Sequence, residues 1–181
     1  MFLKSSKGFT LIEVIAVIVI LSIISVITVK FLVDSLRIYT MTVNQMTLFD
    51  EGKLALERMA RDIRDARSIA RPLAGNSDNC IKFTRENTTV QDTAGEIIRF
   101  RLTGTTLEKD KASPNVTVAL ASNVSAFRVT RSMSDEITLE ITLSLRGDER
   151  VTLRTMVHPK NLADSVTYKN FFQNWQEELS S

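Results

Sequence analysis

Glu13 is the residue whose type and position most call for a partner. It stands in Lys7-Gly8-Phe9-Thr10-Leu11-Ile12-Glu13-Val14-Ile15, and from Val14 to Val29 no charge follows it. A carboxylate at the edge of such a run is costly, and it is normally met by headgroups, by the positive end of a helix or by a cation on another chain. Elsewhere the candidates are thin. Cys80 and the only histidine, His158, could form a nucleophile–base dyad, but no motif flanks either one. Cys80 reads as a small apolar core residue, and a lone cysteine closes no intrachain disulfide. There is no glycine-rich phosphate loop, metal-ligand spacing or nucleophile elbow. Asn76 to Asn79 offers oxygens, but in no calcium-loop spacing, and reads as a turn. Arg146-Gly147-Asp148, between two strong strands, reads as a hairpin turn. The expectation is a chain that is no enzyme and needs no metal or cofactor.

The element that must position Glu13 is long and apolar. Residues 9–33, at about 1.5 Å of helical rise each, reach across a hydrocarbon core of roughly 30 Å. Isoleucine and valine dominate the run and favour strand in water. In lipid the backbone has to satisfy itself within the segment, so a lone span of this kind is a helix. Lys4 and Lys7 ahead of it favour a cytoplasmic N-terminus. A secretory signal peptide would close at a small-residue cleavage site, whereas this run ends in Ser25-Val26-Ile27-Thr28-Val29-Lys30.

Gly8-Phe9-Thr10-Leu11-Ile12-Glu13, behind a short lysine-bearing leader, closely resembles the type III signal of type IV pilins and pseudopilins. The resemblance implies that a prepilin peptidase cuts between Gly8 and Phe9. It implies N-methylation of the new terminus at Phe9, and pairing of Glu13 with the N-terminal amine of a neighbouring subunit during assembly. The electrostatics agree, since two charges that are costly in lipid neutralise each other only when a second subunit is in register. Two of the 23 basic residues, Lys4 and Lys7, lie in the leader, so the remainder balance the 21 acidic residues. No basic excess then points to nucleic acid.

From Asp34 the chain turns amphipathic without a break. Leu48, Gly52, Leu56, Met59, Ile63 and Ala66 follow one helical face, which predicts a helix from Phe9 to about Ser68. The opposite face carries Glu57–Arg61, Arg58–Asp62 and Arg61–Asp65 at i,i+4 spacing, read as a solvated surface. Gly52 reads as a weak point in the helix. Residues 54–66 also resemble, more loosely, the second half of this helix in minor subunits of the J, W and O types. Unlike many major pilins, the chain has no pair of cysteines to close a C-terminal loop.

After the loop at Arg71 to Asn79 the period falls to two. Ile98, Phe100 and Leu102; Val116, Val118 and Leu120; and Ile137, Leu139, Ile141 and Leu143 each alternate with polar residues. Strict alternation predicts antiparallel strands with one buried face, covered here by the amphipathic helix. The expected fold class is α+β, one sheet on one long helix, in the lollipop form the resemblance implies. The expected segments are a leader (1–8), a transmembrane half (9–33), an amphipathic half (34–70), a sheet domain (71–159) and a tail (160–181). In the tail, Phe171, Trp175 and Leu179 recur every four residues, as one face of a short helix that packs by default on its own sheet, the alternative being a partner surface.

The expected function is that of a minor pilin or pseudopilin that helps initiate or cap a type IV pilus or a type II secretion pseudopilus. Its partners would be other pilin subunits, prepilin peptidase and an inner-membrane assembly platform. It would be a single-pass inner-membrane protein with a periplasmic C-terminal domain. The alternative is a signal-anchored periplasmic binding or sensor domain that never polymerises. Processing discriminates the two, because only the first requires the leader to leave.

Overall fold

The computed structural model describes Gly8 and residues 10–112, 115–145 and 149–162. The expectations for Lys4, Lys7 and Phe9, for the Arg146-Gly147-Asp148 turn and for the Phe171, Trp175 and Leu179 stripe lie outside the described residues. The chain divides into two compact units, Met1–Val43 and Asn44–Ser181. Among the described residues a single helix, α1 (Leu11–Arg64), supplies the helical part of the first unit and the opening of the second.

In the first unit, every large apolar side chain from Leu11 to Val33 is exposed, and none has a protein surface over it. An 18-residue window reaches a mean hydropathy of 2.9, long and apolar enough to cross a membrane. The few hydroxyls in the run turn back onto their own helix. Ser22 Oγ donates to Ile18 O at 2.7 Å, Ser25 Oγ to Leu21 O at 2.7 Å, and Thr28 Oγ1 to Ile24 O at 2.9 Å. Back-bonding of this sort leaves no donor asking for water, as a lipid-facing helix requires.

In the second unit the helix buries Leu48, Gly52, Ala55, Leu56, Met59 and Ile63. These form one core with both of two antiparallel sheets. The first sheet has the order β1 (Ala66–Arg71), β3 (Cys80–Arg85), β4 (Ile97–Thr103), β5 (Thr106–Ala112) and β6 (Asn115–Ala121). The second has the order β2 (Ser77–Asp78), β7 (Val124–Arg131), β8 (Ile137–Ser144) and β9 (Arg150–Val157). Strand β8 shows the predicted alternation most cleanly, with Ile137, Leu139, Ile141 and Leu143 all fully buried. The α+β class is therefore as expected, a long apolar helix leading into antiparallel sheet.

Several details differ from the sequence reading. The single sheet is two. Strands lie about 4.8 Å apart and a helix is about 10 Å across, so one helix cannot cover nine strands laid side by side. The helix ends at Arg64 rather than near residue 68 or 70, because Ala66 and Ile69 are buried as strand residues. They pair with Arg85 and Phe83 across an irregular ladder with register shifts on either side. A shifted ladder lets apolar residues three apart face the same way, which is also a helical spacing.

Strand β6 alternates in sequence, yet Val116 and Val118 are exposed, because β6 is the edge of its sheet and an open groove separates them from the helix. Gly52 is no weak point. A Cβ there would stand 2.7 Å from both Leu143 Cδ1 and Leu153 Cδ1, so glycine is what lets the helix lie close on β8 and β9.

Candidate processing and assembly site at the head of the helix

Helix α1 begins where the chemistry is. Thr10 precedes its first residue, and Glu13 is the acidic residue of its first turn. The Glu13 backbone N–H donates to Thr10 Oγ1 at 3.3 Å, and the Thr10 N–H donates to Glu13 Oε2 at 3.4 Å. This reciprocal pair is a capping box, satisfying donors that the first turn of a helix otherwise leaves open. Apolar patterning points to Glu13 and not to Thr10. The Thr-x-x-Glu spacing was the signal that could have found it.

Within the single chain, Glu13 is thus held by its own helix terminus through two long hydrogen bonds. Both are weak enough to be exchanged for a charge-assisted bond to an amine. Among the described residues no side chain covers Glu13, which is exposed. A carboxylate at the head of an uncovered apolar helix is costly unless a positive charge meets it.

Gly8 lies two residues ahead of the cap. A Cβ at Gly8 would meet nothing within 4 Å. Among the described residues nothing therefore demands glycine at this position. Of the other positions singled out, Phe9, Lys4 and Lys7 lie outside the described residues.

The remaining chemical candidates do not converge. Cys80 opens β3 in one sheet, and His158 follows β9 in the other. His158 Nε2 stands 3.9 Å from Glu136 Oε2 instead. Cys80 is half-buried rather than a full core residue. Burial, with the charge of Asp78 beside it, pushes its thiol above the ordinary value, the opposite of what a nucleophile needs. Within Asn76–Asn79, read as a turn, Ser77 and Asp78 instead form strand β2, paired with Thr130 and Val129, and the turn falls just before it, at residues 73–76. Asn76 N donates to Leu73 O at 3.0 Å, and Asp78 pairs with Arg71 at 3.3 Å. Among the described residues no group of His, Cys, Asp and Glu is placed to hold a metal ion.

The face read as solvated holds an extended polar cluster. Asp62 and Asp65 turn away from their i,i+4 arginines toward β3. Arg85 Nη1 meets Asp62 Oδ1 at 2.9 Å and Asp92 Oδ2 at 2.8 Å, while Arg85 Nη2 meets Asp65 at 3.2 Å. Lys109 Nζ bridges Asp62 at 2.8 Å and Asp92 at 2.7 Å, and Lys111 closes on the other oxygen of Asp92. Three carboxylates against three cations tie the end of α1 to the first sheet. Burial pushes Asp92 upward, but hydrogen bonds and charge from Lys109 and Lys111 outweigh it and hold the carboxyl below its ordinary range. This cluster is structural: every carboxylate in it is already matched.

The comparisons bear on the head of the helix. A family model described as the prokaryotic N-terminal methylation motif matches residues 3–29. No curated protein and no solved structure matched the chain. The stretch from the leader through most of the apolar run is thus similar to a type IV pilin-like prepilin signal, the mark of a pilin- or pseudopilin-type precursor that is processed by a peptidase and associates with other pilin subunits.

Proposed function

We propose that the chain is a minor pilin or pseudopilin, a structural subunit that helps start or cap a type IV pilus or a type II secretion pseudopilus. The observation that carries the reading is the methylation-motif match over residues 3–29. The bare Glu13 at the head of an uncovered apolar helix and the fold's indifference to Gly8 both support it. Prepilin peptidase cuts between Gly8 and Phe9, and Phe9 is methylated. The precursor waits in the inner membrane with Lys4 and Lys7 in the cytoplasm and the sheet domain in the periplasm.

On assembly, Glu13 leaves its bond to Thr10 and takes the Phe9 amine of an adjacent subunit. The apolar faces of neighbouring helices then cover what the single chain leaves open. The chain itself performs no catalysis; the assembly platform drives its addition. A minor role is supported by the lone Cys80, which leaves no intrachain disulfide, and by the resemblance of residues 54–66 to minor subunits.

Co-expression with an active prepilin peptidase tests this reading. The chain is expected to shorten at its N-terminus, and a Gly8→Leu variant to stay full length. A wild-type chain left intact by active peptidase would contradict the proposal and favour the anchored domain that never polymerises.

A further inference from the structure

We propose that the C-terminal segment of this same chain, through the stripe Phe171, Trp175 and Leu179, fills the groove between α1 and β9. The groove has a volume of about 580 Å³, and Leu56, Ala60 and Leu153 give it an apolar floor. Phe49, 45% exposed, lies at its far end. Its charged lining is lopsided: Lys53, Arg61, Arg64 and Arg154 stand against Glu57 alone. Glu57 is already 4.0 Å from Lys53. An occupant that suits this lining is apolar along one side and acidic beside it.

The chain leaves the described fold next to this groove. Lys160 N donates to Arg64 O at 2.9 Å, and Leu162 is buried. The path therefore passes the arginine at one end of the groove. Beyond it, Phe171, Trp175 and Leu179 recur at helical spacing, and Glu177 and Glu178 stand beside them. The reach is sufficient. Nine residues from Leu162 to Phe171 can extend up to about 30 Å, and Arg64 back to Lys53 is about 16 Å of helix.

The other large groove, about 1020 Å³ between α1 and β6, is less suited. Asp62, Asp65 and Asp92 already match Arg85, Lys109 and Lys111 there. Beyond that cluster Arg58 and Arg61 remain for an acidic segment, against Arg61, Arg64 and Arg154 in the first groove.

The test uses the full-length chain in detergent, with Cys80→Ser removing the native thiol and Ala60→Cys and Trp175→Cys placing one thiol in the groove and one in the segment. A short bismaleimide should link the two within one chain. Arg154→Glu should cut that yield severalfold, and adding Glu177→Arg with Glu178→Arg should restore it. Cross-linked dimers without cross-linked monomer would overturn the proposal in favour of a second copy's segment, and no cross-link at all would overturn it outright. Trp175 is the only tryptophan in the unsubstituted chain, which gives an independent readout. Its quenching by acrylamide should rise severalfold in Arg154→Glu; equal quenching in both chains also counts against the docking.

Discussion

Thr10 and Glu13 hold each other at the start of α1, each backbone N–H donating to the other's side-chain oxygen at 3.4 and 3.3 Å. The arrangement separates two roles of Glu13 that a single alanine substitution would merge. Glutamine keeps an acceptor for the Thr10 N–H but carries no charge to meet an amine. Glu13→Gln and Glu13→Ala should therefore both remain membrane-anchored, and both should be lost from purified filaments in the native host. Incorporation of Glu13→Gln at the wild-type level would mean that only the cap matters.

The close contact at Gly52 gives a stability prediction. Alanine there removes the glycine penalty of about 1 kcal/mol, but its Cβ lands 2.7 Å from two leucine methyls. Those methyls end flexible side chains, so Gly52→Ala should be close to neutral. Leucine has no such escape, and Gly52→Leu should cost about 1–3 kcal/mol by overpacking. Thermal unfolding followed through the sheet signal checks the pair, and the ranking of the two substitutions is the decisive result.

Asp92 predicts an acid limb. Its folded carboxyl lies below the ordinary value of 3.8 because Lys109 and Lys111 outweigh its burial. The stabilisation it supplies is therefore fully present above about 3.8 and is lost as pH falls through the depressed folded value. Asp92→Asn should destabilise the domain at pH 7 by about 3–5 kcal/mol, since it strands buried cations. It should also flatten the fall in stability below pH 4. Denaturant titrations at pH 7 and at successive pH values below 4 read both effects.

Cys80 should be a sluggish thiol. Burial and the neighbouring Asp78 charge raise its titration point, so less thiolate is present at neutral pH than in a free cysteine. Maleimide labelling of the folded chain at pH 7 is expected to run slower than labelling of the unfolded chain. Equal rates would show that β3 shields nothing.

The head of the chain was legible because its constraints are local. A carboxylate in an apolar run, a glycine beside Phe9 and a span of fixed length need no tertiary information. The buried faces of β4 and β8 were legible for the same reason, since a strand with one wet side shows it as strict alternation. What the pattern could not carry was covering and pairing. Val116 and Val118 alternate as Ile98 and Phe100 do, but only the latter are buried. Ala66 and Ile69 continue a helical spacing, yet a shifted ladder serves that spacing equally well. Asp62 and Asp65 had helical partners within reach. They took Arg85 and Lys109 instead, from residues 20 to 47 positions away.

The central claim is that the first eight residues are a leader, and intact mass of the membrane-extracted full chain tests it most directly, with and without co-expressed prepilin peptidase. With the peptidase, the mass should fall by residues 1–8 and rise by one methyl group on Phe9; without it, the full precursor mass should remain. An unchanged mass in the presence of peptidase shown to cut another prepilin would contradict the account.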